Sequence, residues 1–102
     1  MASYGFHSKA AEEYLSATEY YLDRASPLVA AAFVAEVEGA IQALLASPTT
    51  WAVIEEPQIR RYLLRQFPYS IYYRWEPERD RLSIYAVMHF SRRPDYWRDR
   101  VE

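Results

Sequence analysis

The sequence predicts an α+β fold in which a hairpin of two helices packs on one face of an antiparallel sheet. Three observations predict it. Apolar residues recur every three to four positions between Ser8 and Ser47, and every second position from Ile59 onwards. Ser-Pro pairs at 26–27 and 47–48 divide the helical part into two lengths. At 102 residues the chain is long enough for one two-layer core and too short for a second, so residues 1–102 read as a single domain.

The elements follow in order. Ser3–His7 is β-prone and reads as a first strand, and Ser8 is placed to cap the helix after it, with Glu12 and Glu13 near the positive end. Ala11, Tyr14, Leu15, Thr18, Tyr21, Leu22 and Ala25 form the apolar stripe of that helix, which ends at Ser26-Pro27. The same pair starts the second helix, serine as cap and proline in the first turn. Its stripe is Ala30, Phe33, Val34, Val37, Ile41, Leu44 and Leu45, and Ser47-Pro48 stops it. So short a link makes the helices an antiparallel hairpin. Residues 49–58 read as a loop pinned to the core by Trp51 and Ile54. A three-strand meander follows: Arg60–Arg65, then Tyr69–Trp75, then the polar turn Glu76–Asp80 and the strand Leu82–His89.

Composition removes several classes of function. With no cysteine there is no disulfide framework or thiol nucleophile, and His7 and His89 are in no metal-ligand spacing, so neither a metal nor another cofactor is expected. The N-terminus lacks a signal-peptide pattern, and no apolar stretch is expected to reach the roughly 18 to 20 residues of a membrane span. A cytoplasmic protein without membrane contact is the expectation. The formal charge of −2 is unevenly spread: residues 1–58 carry two cations against eight carboxylates, and residues 59–102 carry ten arginines against six. Arginine suits bidentate recognition of phosphate or carboxylate, which favours an acidic partner for the second half; solvated strand-end charge is the plain alternative.

Strict alternation assigns faces in the last two strands. Tyr69, Ile71, Tyr73 and Trp75, with Leu82, Ile84, Ala86 and Met88, pack toward the helices, and Tyr72, Arg74, Tyr85 and His89 are left on an open face. Arg61 and Arg65 join that face if the register agrees, and Arg92-Arg93 close it. These are the parts of metal-free RNA cleavage by an adjacent 2′-hydroxyl. His89 is of the residue type that titrates near neutrality and serves as base or acid. Arg65 or Arg92 holds the phosphate, with Tyr96 beside them, and Arg61, Tyr72, Arg74, Tyr85 and Arg93 bind the strand by charge and stacking. Each part also has a structural reading: a histidine bonded to a neighbouring carbonyl, tyrosines filling a small sheet, and a terminal clasp in which Trp97 tucks against the sheet.

The run Arg61-Tyr-Leu-Leu-Arg-Gln-Phe-Pro-Tyr-Ser-Ile-Tyr-Tyr-Arg74, with Ala86-Val-Met-His89, Arg92-Arg-Pro-Asp-Tyr-Trp97 and the early Tyr20-Tyr21, resembles the RelE/ParE superfamily of bacterial toxins across nearly the whole chain. The resemblance implies a RelE/ParE-like fold and the toxin of a type II toxin–antitoxin pair, neutralised by a cognate antitoxin in a hetero-oligomer. RelE-type members cut mRNA on the ribosome, and ParE-type members inhibit DNA gyrase without nuclease chemistry. His89 with its arginine neighbours favours mRNA cleavage. A single lysine in a net acidic chain counts against entry into a ribosomal RNA cleft. Gyrase inhibition and an inactive antitoxin-binding module are the alternatives.

Overall fold

The structure is a computed structural model and describes residues 2–93 and 96–101. The chain runs β1 (Ser3–Phe6), α1 (Ser8–Arg24), α2 (Pro27–Ala46), β2 (Val53–Glu55), β3 (Ile59–Leu63), β4 (Tyr69–Glu76) and β5 (Arg81–His89), with short 3-10 turns at Pro77–Arg79 and Arg98–Arg100. The strands form one sheet in the order β1-β5-β4-β3-β2. Two helices on one sheet agree with the α+β expectation.

The sheet is mixed rather than purely antiparallel, because β1 runs parallel to β5, with Ser3 opposite Arg81 and Phe6 opposite Ile84. Antiparallel order is imposed only on strands joined by a tight turn, and the helical hairpin separates β1 from its neighbour. A second difference is β2, inside the stretch read as a loop. Three residues are too few to display a period, and the register against β3 shifts between Val53 and Glu55. Between β2 and β3, Gln58 adopts a left-handed backbone (φ 60°), and its N–H donates to the Glu56 carboxylate at 3.0 Å.

The helix starts follow capping chemistry. Ser26 Oγ accepts the Val29 N–H at 3.1 Å and Pro27 occupies the first turn of α2, as expected. In α1 the cap is His7 rather than Ser8: its Nδ1 accepts the Lys9 N–H at 3.1 Å, so an imidazole takes the place of the expected hydroxyl.

α2 is the core helix, burying Ala30, Phe33, Val37, Ala40, Ile41 and Leu44. Its 20 residues have a mean hydropathy of 1.7, long and apolar enough by composition to cross a membrane, which corrects the expectation that no stretch reaches that length. Here its apolar side lies on the sheet, and its two carboxylates serve the fold. Glu36 accepts the N–H groups of Arg65 and Gln66, and Glu38 accepts the Tyr14 hydroxyl at 2.8 Å. Burial and the bond to Glu38 push the Tyr14 ionisation well above the usual phenol range.

α1 is rotated relative to its predicted stripe. Its buried residues are Ala10 and Ala17, flanked by half-buried Tyr14 and Tyr21, while Leu15 and Leu22 are exposed. The tyrosine rings set this phase: both reach Phe33, at centroid distances of 6.0 and 5.3 Å, which small alanines at the contact line allow.

The sheet also departs from strict alternation. Tyr72 pairs with Ala86 and Tyr73 with Ile84, so the register shifts by one residue at Tyr85. This bulge inverts the rest of β5. Leu82, Ile84 and Val87 lie with the helix-side core, whereas Ala86 and Met88, expected there, join a second cluster with Ile59, Tyr72, Tyr85 and Trp97. Glu13 of α1 accepts the Val87 N–H beside the bulge at 3.0 Å.

Candidate functional site

The face expected to be open is covered. The C-terminal segment crosses it, and Trp97 packs on Tyr72 with ring centroids 5.4 Å apart. Tyr72 and Tyr85 are accordingly 4% and 8% exposed, which corrects their placement on an accessible surface. Trp97 is tucked against the sheet and Arg92 and Arg93 are exposed, as the clasp reading predicts, while Arg98 and Arg100 further along the chain are bound. Arg98 grips Glu55 of β2 through Nε (3.0 and 2.9 Å) and Nη2 (2.6 Å). Arg100 grips Glu13 through Nη1 (2.9 Å) and Nη2 (2.8 Å), and Nη1 also donates to the Tyr85 carbonyl at 2.9 Å. Burial of Arg100 disfavours its charge, yet Glu13 outweighs this and the net shift is upward. The strap therefore ties an edge strand to α1 across the second face of the sheet. Pro94 and Asp95 of the expected clasp lie outside the described residues.

Hollows lined by the described residues lie around this frame, and three of them bear on the predicted site. The first, about 410 Å³, lies between α1 and the end of β5 and brings together His89, Arg92 and Tyr96, with Lys9, Glu12 and Glu13 of α1 and Tyr20 on its walls. The second, about 290 Å³, lies on the second face and holds Arg61, Tyr72, His89 and Arg92, with Leu63 and Phe90 at its rim. The third, about 220 Å³, holds Arg74 and Tyr85 at the other end of the sheet. Arg65 and Arg93 line none of the three. Five of the nine predicted residues therefore meet around the β5 end, and Arg65, Arg74, Tyr85 and Arg93 do not join His89 as expected; the inverted register and the end of β3 at Leu63 separate them. The α1 carboxylates were invisible as site residues in the sequence, because only tertiary packing brings them to β5.

His89 stands at the meeting of the first two hollows, its ring at 85° to that of Tyr69 with centroids 5.2 Å apart. Its Nδ1 accepts the Ser91 N–H at 3.1 Å and lies 2.8 Å from Ser91 Oγ. An acceptor at Nδ1 leaves the proton of the neutral ring on Nε2, so His89 faces its surroundings as a hydrogen-bond donor. The Tyr69 hydroxyl is pushed toward its protonated form: burial raises its pKa first, the neighbouring Tyr21 and Tyr20 add to this, and Arg92 opposes it. Arg92 stacks over Tyr96 at 5.0 Å. Among the described residues, no three His, Cys, Asp or Glu side chains come together in a way that could hold a metal ion.

At the third hollow Glu76 neutralises the arginines. Its carboxylate accepts the Ser83 hydroxyl and lies 3.6 Å from Arg74 and 3.4 Å from Arg79. The Ser83 bond and both guanidiniums hold its pKa below the usual 4.5, against the effect of burial. A depressed folded-state pKa means stability that is present above the unfolded value and lost as pH falls through the folded value. Urea titrations from pH 7 to pH 3 should thus show Glu76→Gln less stable than wild type at pH 7, with the gap closing below about pH 4.5. A gap independent of pH would refute the assignment.

The matched family is described as ParE toxin of type II toxin–antitoxin system, parDE, and it spans residues 4–94. The chain belongs to the ParE toxin family. The match covers both helices, all five strands and the His89–Arg92 turn, and ends before the strap residues 96–101. No curated protein matches in sequence. Among solved structures, the fold is similar to a chain of the chromosomal ParDE toxin–antitoxin system from P. aeruginosa, with a TM-score of 0.71 at 20% identity over 87% of this chain and 95% of that one. It is also similar to the isolated E. coli RelE toxin, with a TM-score of 0.64 at 16% identity over 97% of this chain and 95% of that one. This ParE-family chain is thus a type II toxin of the RelE/ParE superfamily, with the α+β fold of both branches.

Proposed function

We propose that the protein acts in the cytoplasm by inhibiting DNA gyrase through protein contact, and that a cognate ParD-type antitoxin neutralises it in a toxin–antitoxin hetero-oligomer. The hydrogen bonding of His89 carries this reading. Its Nδ1 already accepts the Ser91 N–H and lies beside the Ser91 hydroxyl, so that lone pair is engaged within the turn and is not free to take a proton from a 2′-hydroxyl. Tyr72 and Tyr85, which would stack splayed bases, lie beneath the strap. Membership of the ParE toxin family supports the same conclusion.

A second reading, ribosome-dependent mRNA cleavage, draws on one observation: His89 and Arg92 line both of the larger hollows side by side. Inducible expression in a bacterial host separates the two. Gyrase inhibition predicts loss of DNA supercoiling with intact mRNA, and purified His89→Ala still inhibits the enzyme. If mRNA is cut instead, and His89→Ala lowers cleavage by the roughly 10²- to 10⁴-fold of a lost general acid or base, the nuclease reading replaces it.

A further inference from the structure

The arginines of the second half are sorted in space. Ion pairs among the described residues engage Arg74, Arg79, Arg98 and Arg100 and leave Arg61, Arg65, Arg92 and Arg93 without a carboxylate. Arg61 and Arg92 are the walls of the second hollow, whose lining among the described residues contains no Asp or Glu. At its rim two large apolar side chains stand in solvent, Leu63 at 51% and Phe90 at 52% exposed, and its floor of Ser70 and Met88 is buried. Unpaired guanidiniums around exposed leucine and phenylalanine match an anionic ligand that also carries an apolar anchor. A nucleic acid supplies the charge but would have to stack on a ring, and Tyr72 in this hollow is covered by Trp97.

We propose that this hollow docks an acidic peptide segment with one large apolar side chain, contributed by the protein that the toxin inhibits. The antitoxin has a separate surface open to it: the sheet lies between this hollow and the helical hairpin, where Leu15, Leu22 and Leu28 are exposed. A toxin can then be held by one face and engage its target with the other.

The proposal rests on the gyrase reading for the identity of the target, and the experiment separates the two. Full-length wild type, Arg61→Glu, Phe90→Ser and the control Glu78→Arg in the Pro77–Arg79 turn, all at exposed positions, are compared in gyrase supercoiling, in calorimetric binding of the cognate antitoxin and in growth arrest. The expected result is a loss of gyrase inhibition of about tenfold or more for Arg61→Glu and Phe90→Ser, with antitoxin affinity and the control unchanged. Undiminished inhibition overturns the docking site and leaves the gyrase reading intact, and an equal loss of antitoxin affinity overturns it in favour of the antitoxin. If wild type does not inhibit gyrase, the target reading falls. Growth arrest then decides the docking site: relief by Arg61→Glu and Phe90→Ser upholds it, and unrelieved arrest overturns it. Binding of a single-stranded oligonucleotide that Arg61→Glu abolishes would assign the hollow to nucleic acid instead.

Discussion

Phe33→Ala is expected to lower the unfolding free energy by about 3–5 kcal/mol, a large part of the roughly 5–15 kcal/mol that holds a domain of this size together. Phe33 is fully buried in the middle of α2 and touches aromatic rings from three parts of the chain. Tyr14 and Tyr21 approach from α1 at 6.0 and 5.3 Å, and Phe67 and Tyr69 approach from the β3–β4 connection and β4, both at 5.2 Å. Truncation removes the transfer free energy of the ring, leaves a cavity, and forfeits edge contacts each worth about 0.5–1.5 kcal/mol. Those neighbours belong to different elements, so no single shift can refill the space. At about 4–8 °C per kcal/mol the melting temperature should fall by at least about 12 °C. Thermal unfolding followed by circular dichroism checks this, and a shift of only a degree or two would mean that Phe33 is not the hub of the core.

Trp97→Ala should cost a similar amount, about 3–5 kcal/mol, although the residue lies outside regular secondary structure. Its ring is 2% exposed and seals Tyr72, Tyr85 and Met88 from water on the second face. Without it, the pairs Arg98–Glu55 and Arg100–Glu13 must hold the strap alone. The first is partly exposed and screened by solvent, and the second carries the desolvation of a buried guanidinium. Trp97→Phe should recover most of the loss, since the indole Nε1 has no hydrogen-bond partner among the described residues and removing a buried unpaired donor lessens the penalty. Urea unfolding of both variants tests the point. Equal stability of Trp97→Ala and wild type would show that the strap is an ornament on a sheet that is stable without it.

Local chemistry was readable without a structure. The Ser26-Pro27 cap, the α2 stripe, the helical hairpin and the strands β3 to β5 each depend on neighbours within a few positions, which a linear sequence displays. The family resemblance was carried by the same local runs and by the Phe67-Pro68-Tyr69 and His89–Trp97 segments. The site was only partly legible. Strict alternation cannot reveal a bulge, so it put Met88 with the helices and His89 on an open face. Leu15 and Leu22 looked like core because apolar character does not say which of two competing stripes the neighbouring helix will accept.

What the sequence by itself determined is the class of fold, the family and an arginine-rich second half. What only the tertiary structure decided is which of those residues can meet a partner. The register shift at Tyr85 inverts the end of β5 and turns Val87 and His89 toward α1, where Glu13 meets the Val87 N–H. Glu13 then takes Arg100, and Glu55 takes Arg98, at sequence separations of 87 and 43 residues. Pairings of that range depend on how three layers come together, not on the residues beside them in the chain. They are the reason why Arg98 and Arg100 are bound to carboxylates, as Arg74 and Arg79 are locally by Glu76, while Arg61 and Arg92 remain beside Leu63 and Phe90.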